Sequence, residues 1–458
     1  MKHEDLQYLL VDLPGDIRRL KDAGEFTHMR RVIEMRLNSE KLTEPMRKRL
    51  ELELAMTQML DAAYPYSAEE AAALAAGSIR DFTPAELEHY RDLDAADWIY
   101  VDAQVRYRRN FLTNLIKTRP ELEARVLDEK RLNYQHSDRD MLEKMMAKMR
   151  EKGGAAVKFR IRASVQVKPE AYRPGKKIRV QIPVPVEGSQ MKDVRILKIS
   201  PEPAHVAAPD YPQRTVCFEG VYPQETVFQV EYEYVNRMRY VKPDPAHVSA
   251  SQPRFYTEEL PPHIVFKPYI RMLASQIVGQ ETNPLIKARK IFDYVTTVPT
   301  YSFMPPYFCV EDLPGFMATR LKGDCGVFSL LFITLCRAAG VPARWQSGLY
   351  TTPLEIGCHD WSQFYVAPYG WMYVDGSFGN SAHRNGNEAR RDFYFGNLDP
   401  YRMVAATEFQ HEFDPPMDFM RYDPYDNQEG EAEYEDGGLH NSQIYTDQEM
   451  LEIQELDD

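Results

Sequence analysis

The chain has 458 residues, more than one hydrophobic core supports, so two to four domains are expected. Its hydrophobic and charged fractions, 43% and 27%, are those of an ordinary globular protein and exclude wholesale disorder. No apolar run approaches the length of a membrane span, and the N-terminus lacks the uninterrupted apolar stretch of a signal peptide. We therefore expect no membrane partner.

The net charge of -13 is concentrated at the C-terminus. No lysine or arginine follows Arg421, whereas acidic residues recur from Asp423 to the end. The preceding part of the chain is close to neutral and has no basic stripe along which a nucleic acid would bind. We expect no nucleic-acid partner.

The five cysteines lie at positions 217, 309, 325, 336 and 358. They form no CxxC pair and are odd in number, which predicts no disulfide framework and a reducing, cytoplasmic setting. A metal site at Cys309, Cys325, Cys358 and His359 is the first alternative. Adjacent residues of a strand point to opposite faces, whereas structural zinc prefers paired ligands two to four residues apart. We therefore expect no metal and no cofactor.

Residues 1–154 are predicted to form a helical domain. Its clearest helix start is the capping box Thr83-Pro84-Ala85-Glu86, after which apolar residues keep a helical period to about Lys117. Ser137 is predicted to cap a last helix, which Gly153 and Gly154 end.

After Gly154 the apolar period changes from 3.6 to 2, beginning with Val157, Phe159 and Ile161. Residues 155–250 are therefore predicted to form an antiparallel β-sandwich domain. Helices return in residues 251–412, the predicted catalytic domain. Residues 413–458 are predicted to be an acidic, loosely ordered tail with one short final helix, removable from about Asp423 onward.

The chemistry is predicted to centre on Cys325. The sequence KGDCG is followed by a long apolar stretch that Gly340 and Pro342 end, so Cys325 begins a buried helix. The free N–H groups and positive dipole end of such a helix favour a thiolate and can hold an oxyanion.

A hairpin downstream supplies the other two groups. His359 lies on an alternating strand, and Asp375 ends the return strand after a Pro-Tyr-Gly turn. This arrangement predicts a triad with Cys325 as nucleophile, His359 as base and Asp375 as the carboxylate that orients the imidazole. His383 is the rival base.

Residues from about 285 to 380 resemble the core of the transglutaminase-like superfamily in its bacterial form. The elements of that pattern are a cysteine at a helix start, an aGvPaR strand, H-x-W and G-W-x-x-x-D. Here they correspond to Cys325, Ala339–Arg344, His359–Trp361 and Gly370–Asp375. The resemblance implies an α+β fold in which the helix carrying the cysteine packs on an antiparallel sheet, as in papain, and the same Cys-His-Asp triad.

We expect a thiol hydrolase that cleaves an amide or peptide bond through an S-acyl intermediate. Its partner would be a peptide or protein substrate, or an amide-containing small molecule. The alternatives are a protein-glutamine acyltransferase and a non-catalytic binding module. Transglutaminases proper place an oxyanion-donating tryptophan before the cysteine, but none lies between Trp98 and Trp345. Tyr301 is the candidate substitute, and Trp361 is expected to form a wall of the substrate site.

The missing upstream tryptophan and the absence of a D-x-[DN]-x-[DN]-G loop predict that water, not an amine, takes the acyl group, and without calcium. Incubation with a peptide library and a labelled primary amine, with and without EDTA, measures both outcomes. We expect peptide cleavage to exceed amine incorporation and to be unaffected by EDTA. Calcium-dependent incorporation exceeding cleavage would contradict the hydrolase.

Overall fold

The protein is described by a computed structural model that covers residues 1–39, 41–188 and 190–456, with no side chains described for 129–136. The α-helices are, in chain order, α1 (Gly15–Asp22), α2 (Phe26–Ser39), α3 (Glu44–Ala63), α4 (Ala68–Ser78), α5 (Pro84–Asp92), α6 (Phe111–Thr118), α7 (Pro120–Glu123), α8 (Glu129–Lys152), α9 (Pro268–Val278), α10 (Pro284–Thr297), α11 (Leu313–Arg320), α12 (Cys325–Ala338), α13 (Gly376–Arg384) and α14 (Glu388–Phe393).

The strands are β1 (Tyr66–Ser67), β2 (Trp98–Val101), β3 (Gln104–Tyr107), β4 (Gly154–Val167), β5 (Ile178–Pro183), β6 (Met191–Ser200), β7 (His205–Val206), β8 (Thr215–Gly220), β9 (Phe228–Arg239), β10 (Thr300–Tyr301), β11 (Lys322–Gly323), β12 (Ala343–Thr351), β13 (Ile356–Val366), β14 (Gly370–Val374), β15 (Phe395–Gly396), β16 (Arg402–Ala406), β17 (Glu431–Tyr434), β18 (Gly437–Gly438) and β19 (Ile444–Leu456).

The N-terminal region is mainly helical, with one predicted helix cut short. α5 starts as predicted, because the Thr83 hydroxyl accepts the Glu86 N–H and the Glu86 carboxylate accepts the Thr83 N–H. The helix ends at Asp92, and β2 and β3 follow as a hairpin. Its turn residues Asp102 and Ala103 are both left-handed, with φ of 48° and 65°. Apolar spacing over this stretch fits both periods, so sequence alone did not separate the hairpin from a longer helix.

α8 also starts earlier than predicted. Ser137 lies inside this helix rather than at its N-cap, and Gly153, with φ of 80°, follows its end. α8 leads directly into β4, whose side chains alternate between buried and half-buried as the period-2 pattern predicted.

Two antiparallel sheets face each other to form the sandwich. One has the strand order β18-β17-β5-β8-β7 and the other β19-β4-β9-β6. Their inner faces bury Phe159, Val180, Phe218 and Tyr232 completely. The strands that close both sheets come from the far C-terminal end of the chain.

The prediction of a loosely ordered tail at residues 413–458 is therefore wrong. β17 pairs with β5, and β19 pairs with β4 from Ile444 opposite Val167 to Leu456 opposite Ala156. The expected final helix is this strand. Removing the chain from residue 423 onward would take an edge from both sheets.

Acidic residues of β19, which helped to suggest a tail, are paired across the surface. Glu449 on β19 lies 2.8 Å from the Arg162 guanidinium on β4, and Glu455 lies 2.8 Å from the Lys148 ammonium on α8. Acids at alternate positions suit an edge strand with one solvated face, because period-2 alternation separates them from the buried side. Their basic partners lie about 300 residues away in sequence.

A third antiparallel sheet carries the functional segment, in the order β15-β14-β13-β12-β16. The buried helix α12 packs on β13, where Phe332 meets Phe364 at 6.1 Å between ring centroids. The Ser362 hydroxyl on β13 donates to the Ser329 carbonyl on α12. The predicted α+β fold, with the cysteine-bearing helix on an antiparallel sheet, is confirmed. No helix of the described residues is both long and apolar enough to cross a membrane.

Ile444 and Tyr445 test whether β19 is part of the fold. Ile444 is 5% exposed and Tyr445 is 55% exposed, so adjacent residues face core and solvent. We expect Ile444→Ala to lower the free energy of unfolding by about 2–4 kcal/mol, because it leaves a cavity. Tyr445→Ala is the matched control, with a loss under about 1 kcal/mol. Guanidinium unfolding measures both, and equal small effects would show that β19 does not contribute to the fold.

Candidate active site

The start of α12 is held by the residues around Cys325. Asp324 is the N-cap, and its carboxylate accepts the Met304 N–H at 3.1 Å and the Tyr307 hydroxyl at 2.5 Å. A side chain at Gly326 would collide with that hydroxyl, which explains the glycine after the cysteine. The first turn of the helix is thereby placed against the loop that precedes it.

That loop is in turn held by the N-terminal region. The Asn114 side chain accepts the Phe303 N–H at 2.9 Å, and the Lys322 ammonium lies 3.0 Å from Asp97. Both residues of the N-terminal region are buried. The helical region therefore positions the approach to the cysteine from outside the functional sheet.

His359 and Asp375 are brought together as predicted. Nε2 of His359 lies 2.7 Å from Oδ2 of Asp375, and both side chains are buried. Oδ1 of Asp375 accepts the Phe378 N–H at 2.9 Å, so the same carboxylate caps α13. The imidazole has one defined orientation.

Arg402 also contacts the His359–Asp375 pair, and nothing in the sequence had indicated it. Its guanidinium is fully buried and lies 3.2 Å from Asp375 and 2.7 Å from Asp399. Burial alone would raise the pKa of Asp375, but His359 and Arg402 outweigh it and hold that pKa below its ordinary value. Burial lowers the pKa of His359 despite Asp375, so the imidazole is neutral near pH 7 and suited to accept a proton.

The thiol has a partner that was not predicted. Sγ of Cys325 lies 3.2 Å from Oδ2 of Asp360, the residue after His359 on β13. Because successive side chains of a strand point to opposite faces, Asp360 faces α12 and His359 faces the other side of the sheet. Within the described residues, no hydrogen bond joins the thiol to His359, so the nucleophile–base pair stays a prediction.

The expected thiolate character of Cys325 is also not what the structure gives. Burial, and then the nearby carboxyls of Asp360 and Asp324, raise the pKa of the thiol well above its ordinary value. Burial and these two acids thus oppose the thiolate that the end of the helix was expected to favour.

Asp360 belongs to a buried acidic pair. Its Oδ1 accepts the Gln428 amide N–H at 2.7 Å, and Asp426 beside it accepts the Ser347 hydroxyl. Burial, followed by Asp426, raises the pKa of Asp360 well above its ordinary range. Burial, followed by Asp423, raises the pKa of Asp426 to about 6. Neighbouring carboxyls in a dry site disfavour double ionisation, so this pair retains a proton near neutrality.

The two aromatic candidates lie on either side of this arrangement. Tyr301 pairs in register with Gly323, and its ring stacks on Phe328 one turn into α12, 6.5 Å between centroids. Trp361 stacks on His359 at 6.1 Å and donates its indole N–H to Gln346 at 2.8 Å. Trp361 is fully buried beside His359. Its predicted role as a wall of the substrate site and the predicted role of Tyr301 at an oxyanion both stay predictions.

The other sequence candidates lie apart from the triad residues. His383 is half-exposed at its side chain and pairs with Glu388 at 2.8 Å. The Cys309 thiol contacts the Met56 carbonyl at 3.4 Å. Among the residues that the structure describes, no three His, Cys, Asp or Glu side chains are arranged to hold a metal ion.

The comparisons agree with the geometry of the functional segment. Residues 271–376 match the family model of the transglutaminase-like superfamily. An uncharacterised protein of Haemophilus influenzae is 28% identical over 137 residues, which are 25% of this chain and 37% of that protein. The chain thus spans little more than a third of the length of that curated relative.

Two solved structures also match, with low identity and low TM-scores. A protein of Cytophaga hutchinsonii named a putative cysteine protease has 16% identity and a TM-score of 0.39, covering 67% of this chain and 92% of that one. The periplasmic domain of TgpA from Pseudomonas aeruginosa has 13% identity and a TM-score of 0.29, covering 54% of this chain and 95% of that one.

The buried acids predict a stability that falls as pH rises. The pKa of Asp426 is raised from 3.8 to about 6, so the folded protein keeps a proton that the unfolded chain has released. This contribution is fully present below about pH 4 and is lost as pH rises through about 6, a loss of about 2–3 kcal/mol. We expect the stabilisation contributed by Asp426 to be smaller at pH 8 than at pH 5, measured by chemical denaturation of the wild-type protein against a variant without this carboxyl.

Asp426→Asn isolates this group. The amide oxygen can still accept the Ser347 hydroxyl, and its N–H can donate toward Asp360 at any pH. The variant should therefore match wild type at pH 5 and exceed its stability at pH 8. Asp418→Asn, whose side chain is 73% exposed, is the control that leaves the pH dependence unchanged. An identical pH dependence in Asp426→Asn and wild type would refute the assignment.

Proposed function

This chain carries a transglutaminase-like domain at residues 271–376, and we propose that it is a thiol hydrolase. The bond cleaved is an amide or peptide bond, and the intermediate is an S-acyl ester of Cys325. The observation that carries the proposal is the buried His359–Asp375 pair, in which Nε2 and Oδ2 are 2.7 Å apart. His359 directly precedes Asp360, the residue of β13 that contacts the thiol. A base oriented by a carboxylate and a cysteine at a helix start are the groups that acyl transfer uses.

The proposed chemistry has two steps. Nε2 of His359 is held by Asp375, so proton exchange falls to Nδ1. In acylation the Cys325 sulfur bonds to the substrate carbonyl carbon, its proton passes to His359, and the amine leaves with that proton. In deacylation His359 takes a proton from water, the water oxygen bonds to the carbonyl carbon, and the sulfur leaves and takes the proton back from His359 as the carboxylic acid is released. Asp375 and Arg402 keep the imidazole oriented throughout.

The developing oxyanion needs donors near the helix start. The N–H groups in the first turn of α12 point along the helix axis and supply them. We propose the Tyr301 hydroxyl as a further donor, since its ring packs one turn from Cys325. The proposed substrate is a peptide, a protein or a small amide, and the proposed setting is the cytoplasm.

A non-catalytic module is the second candidate, and one observation favours it. The Cys325 thiol is hydrogen-bonded to Asp360 at 3.2 Å rather than to the base. A protein in which this arrangement never changes would bind a ligand without turning it over. Formation of an S-acyl adduct of Cys325 from a peptide amide, with one equivalent of free amine released, separates the two.

Substitution of the three proposed residues tests the hydrolase. We expect Cys325→Ala and His359→Ala each to lower kcat/KM by about 10³-fold or more, because members of a triad act as a unit. Asp375→Ala should leave more activity, since it disturbs orientation rather than chemistry. Initial rates on a cleavable peptide pool measure the losses.

The matched control is His383→Ala, a histidine outside the triad with an exposed partner. It should retain the wild-type rate. Full turnover by Cys325→Ala would refute the proposal at its root, and equal losses in His383→Ala and His359→Ala would refute the choice of base.

A further inference from the structure

The side of β13 that faces α12 carries a set of contacts that the proposed triad does not use. At its centre is Asp360, 3% exposed, whose two carboxyl oxygens have different partners. Oδ2 contacts the Cys325 thiol at 3.2 Å, and Oδ1 accepts the Gln428 amide N–H at 2.7 Å. One carboxyl group therefore links the proposed nucleophile to the C-terminal part of the chain.

We propose that Asp360 is a positioning residue that holds the Cys325 thiol in a resting arrangement, and that the segment Asp423–Glu429 locks Asp360 in place. This proposal rests on the proposed function, because it assigns a resting state to the nucleophile of that reaction. Because His359 lies on the other face of β13, catalysis then requires the first turn of α12 to move so that the thiol leaves Asp360 and reaches His359.

The segment is anchored well enough to act as a lock. The Asn427 side chain donates to the carbonyls of Arg214 in the sandwich and Ala405 on β16, at 3.1 and 3.2 Å. The carbonyl of Gln428 accepts the Gln448 amide N–H from β19 at 2.9 Å. The segment thus joins the sandwich to the functional sheet while its Gln428 side chain reaches Asp360.

The acidic character of Asp360 is not explained by packing. Burying a carboxyl next to another carboxyl costs free energy, and an amide of the same shape would make similar hydrogen bonds without that cost. Costly buried groups of this kind are concentrated at functional sites. An acid beside the thiol differs from an amide in one respect: once the acid has lost its proton, its charge opposes ionisation of the sulfur.

The titratable and charged groups around the thiol come from every element packed against it. They are Asp324 on α12, Tyr301 and Tyr307 before α11, Arg108 in the N-terminal region, Cys358 and Asp360 on β13, and Asp423, Asp426 and Glu429 in the C-terminal segment. Acids predominate in this set, and Asp360 is the one in direct contact with the sulfur.

The test measures the pH profile of Cys325 alkylation in the full-length protein. Iodoacetamide reacts with the thiolate, and peptide mass spectrometry assigns the label to Cys325 without any turnover. We expect Asp360→Asn to lower the midpoint of the profile by about one pH unit or more. At a pH below both midpoints this corresponds to about a tenfold faster reaction.

A second pair of variants tests the lock with Asp360 intact. Gln428→Ala removes the N–H that holds Oδ1 and should label Cys325 several-fold faster than wild type. Gln428→Glu adds an acid beside Asp360, and in this variant Cys325 should be labelled more slowly than in the wild type. Gln454→Ala, an exposed glutamine on β19, is the matched control and should label at the wild-type rate.

An unshifted midpoint in a folded Asp360→Asn protein, or wild-type labelling in both Gln428 variants, would overturn the inference. These outcomes are separate from those for the hydrolase. Shifted labelling without peptide cleavage would sustain the resting contact and refute the proposed function. Peptide cleavage that depends on Cys325, without any shift in labelling, would support the proposed function and refute the resting contact.

Discussion

The pleat of β13 is the constraint on which the candidate site depends. It sends His359 to one face of the functional sheet, where Asp375 and Arg402 orient the ring. It sends Asp360 to the other face, against the Cys325 thiol. A single-residue shift of register on this strand would exchange the two groups. The strand is held on both sides by β12 and β14, so such a shift would break two ladders at once.

Two carboxylates consequently act on neighbouring parts of one site in opposite ways. His359 and then Arg402 hold the pKa of Asp375 low despite its burial, so this carboxylate stays ionised and able to orient the imidazole. Asp360 lies among other acids, which keeps a proton nearby and disfavours the thiolate. The proposed base is therefore neutral near pH 7 and able to accept a proton, while the thiol of the proposed nucleophile is held in its protonated form.

Stability and reactivity are linked through the C-terminal segment. Asp426 stabilises the fold only while the acidic pair keeps its proton, and the same pair contacts Cys325 through Asp360. A rise in pH thus has two effects at once. It weakens the packing of this segment, and it removes the proton of the Asp360–Asp426 pair next to Cys325. On the opposite side of the helix start, Asn114 and Lys322 connect the preceding loop to the N-terminal region. Both ends of the chain therefore contribute to the placement of Cys325.

Sequence by itself determined the local features, because they depend on neighbours along the chain. The apolar run after Cys325 specified a buried helix, and the alternation around His359 and the turn before Asp375 specified the hairpin that joins them. The partners from distant segments were decided only by the tertiary structure. Arg402 and Gln428 carry no local signal, since their buried contacts form between strands far apart in sequence. The acidic C-terminus resembled a tail for the same reason: the basic partners and sheet edges that make it a strand are supplied by β4 and β5.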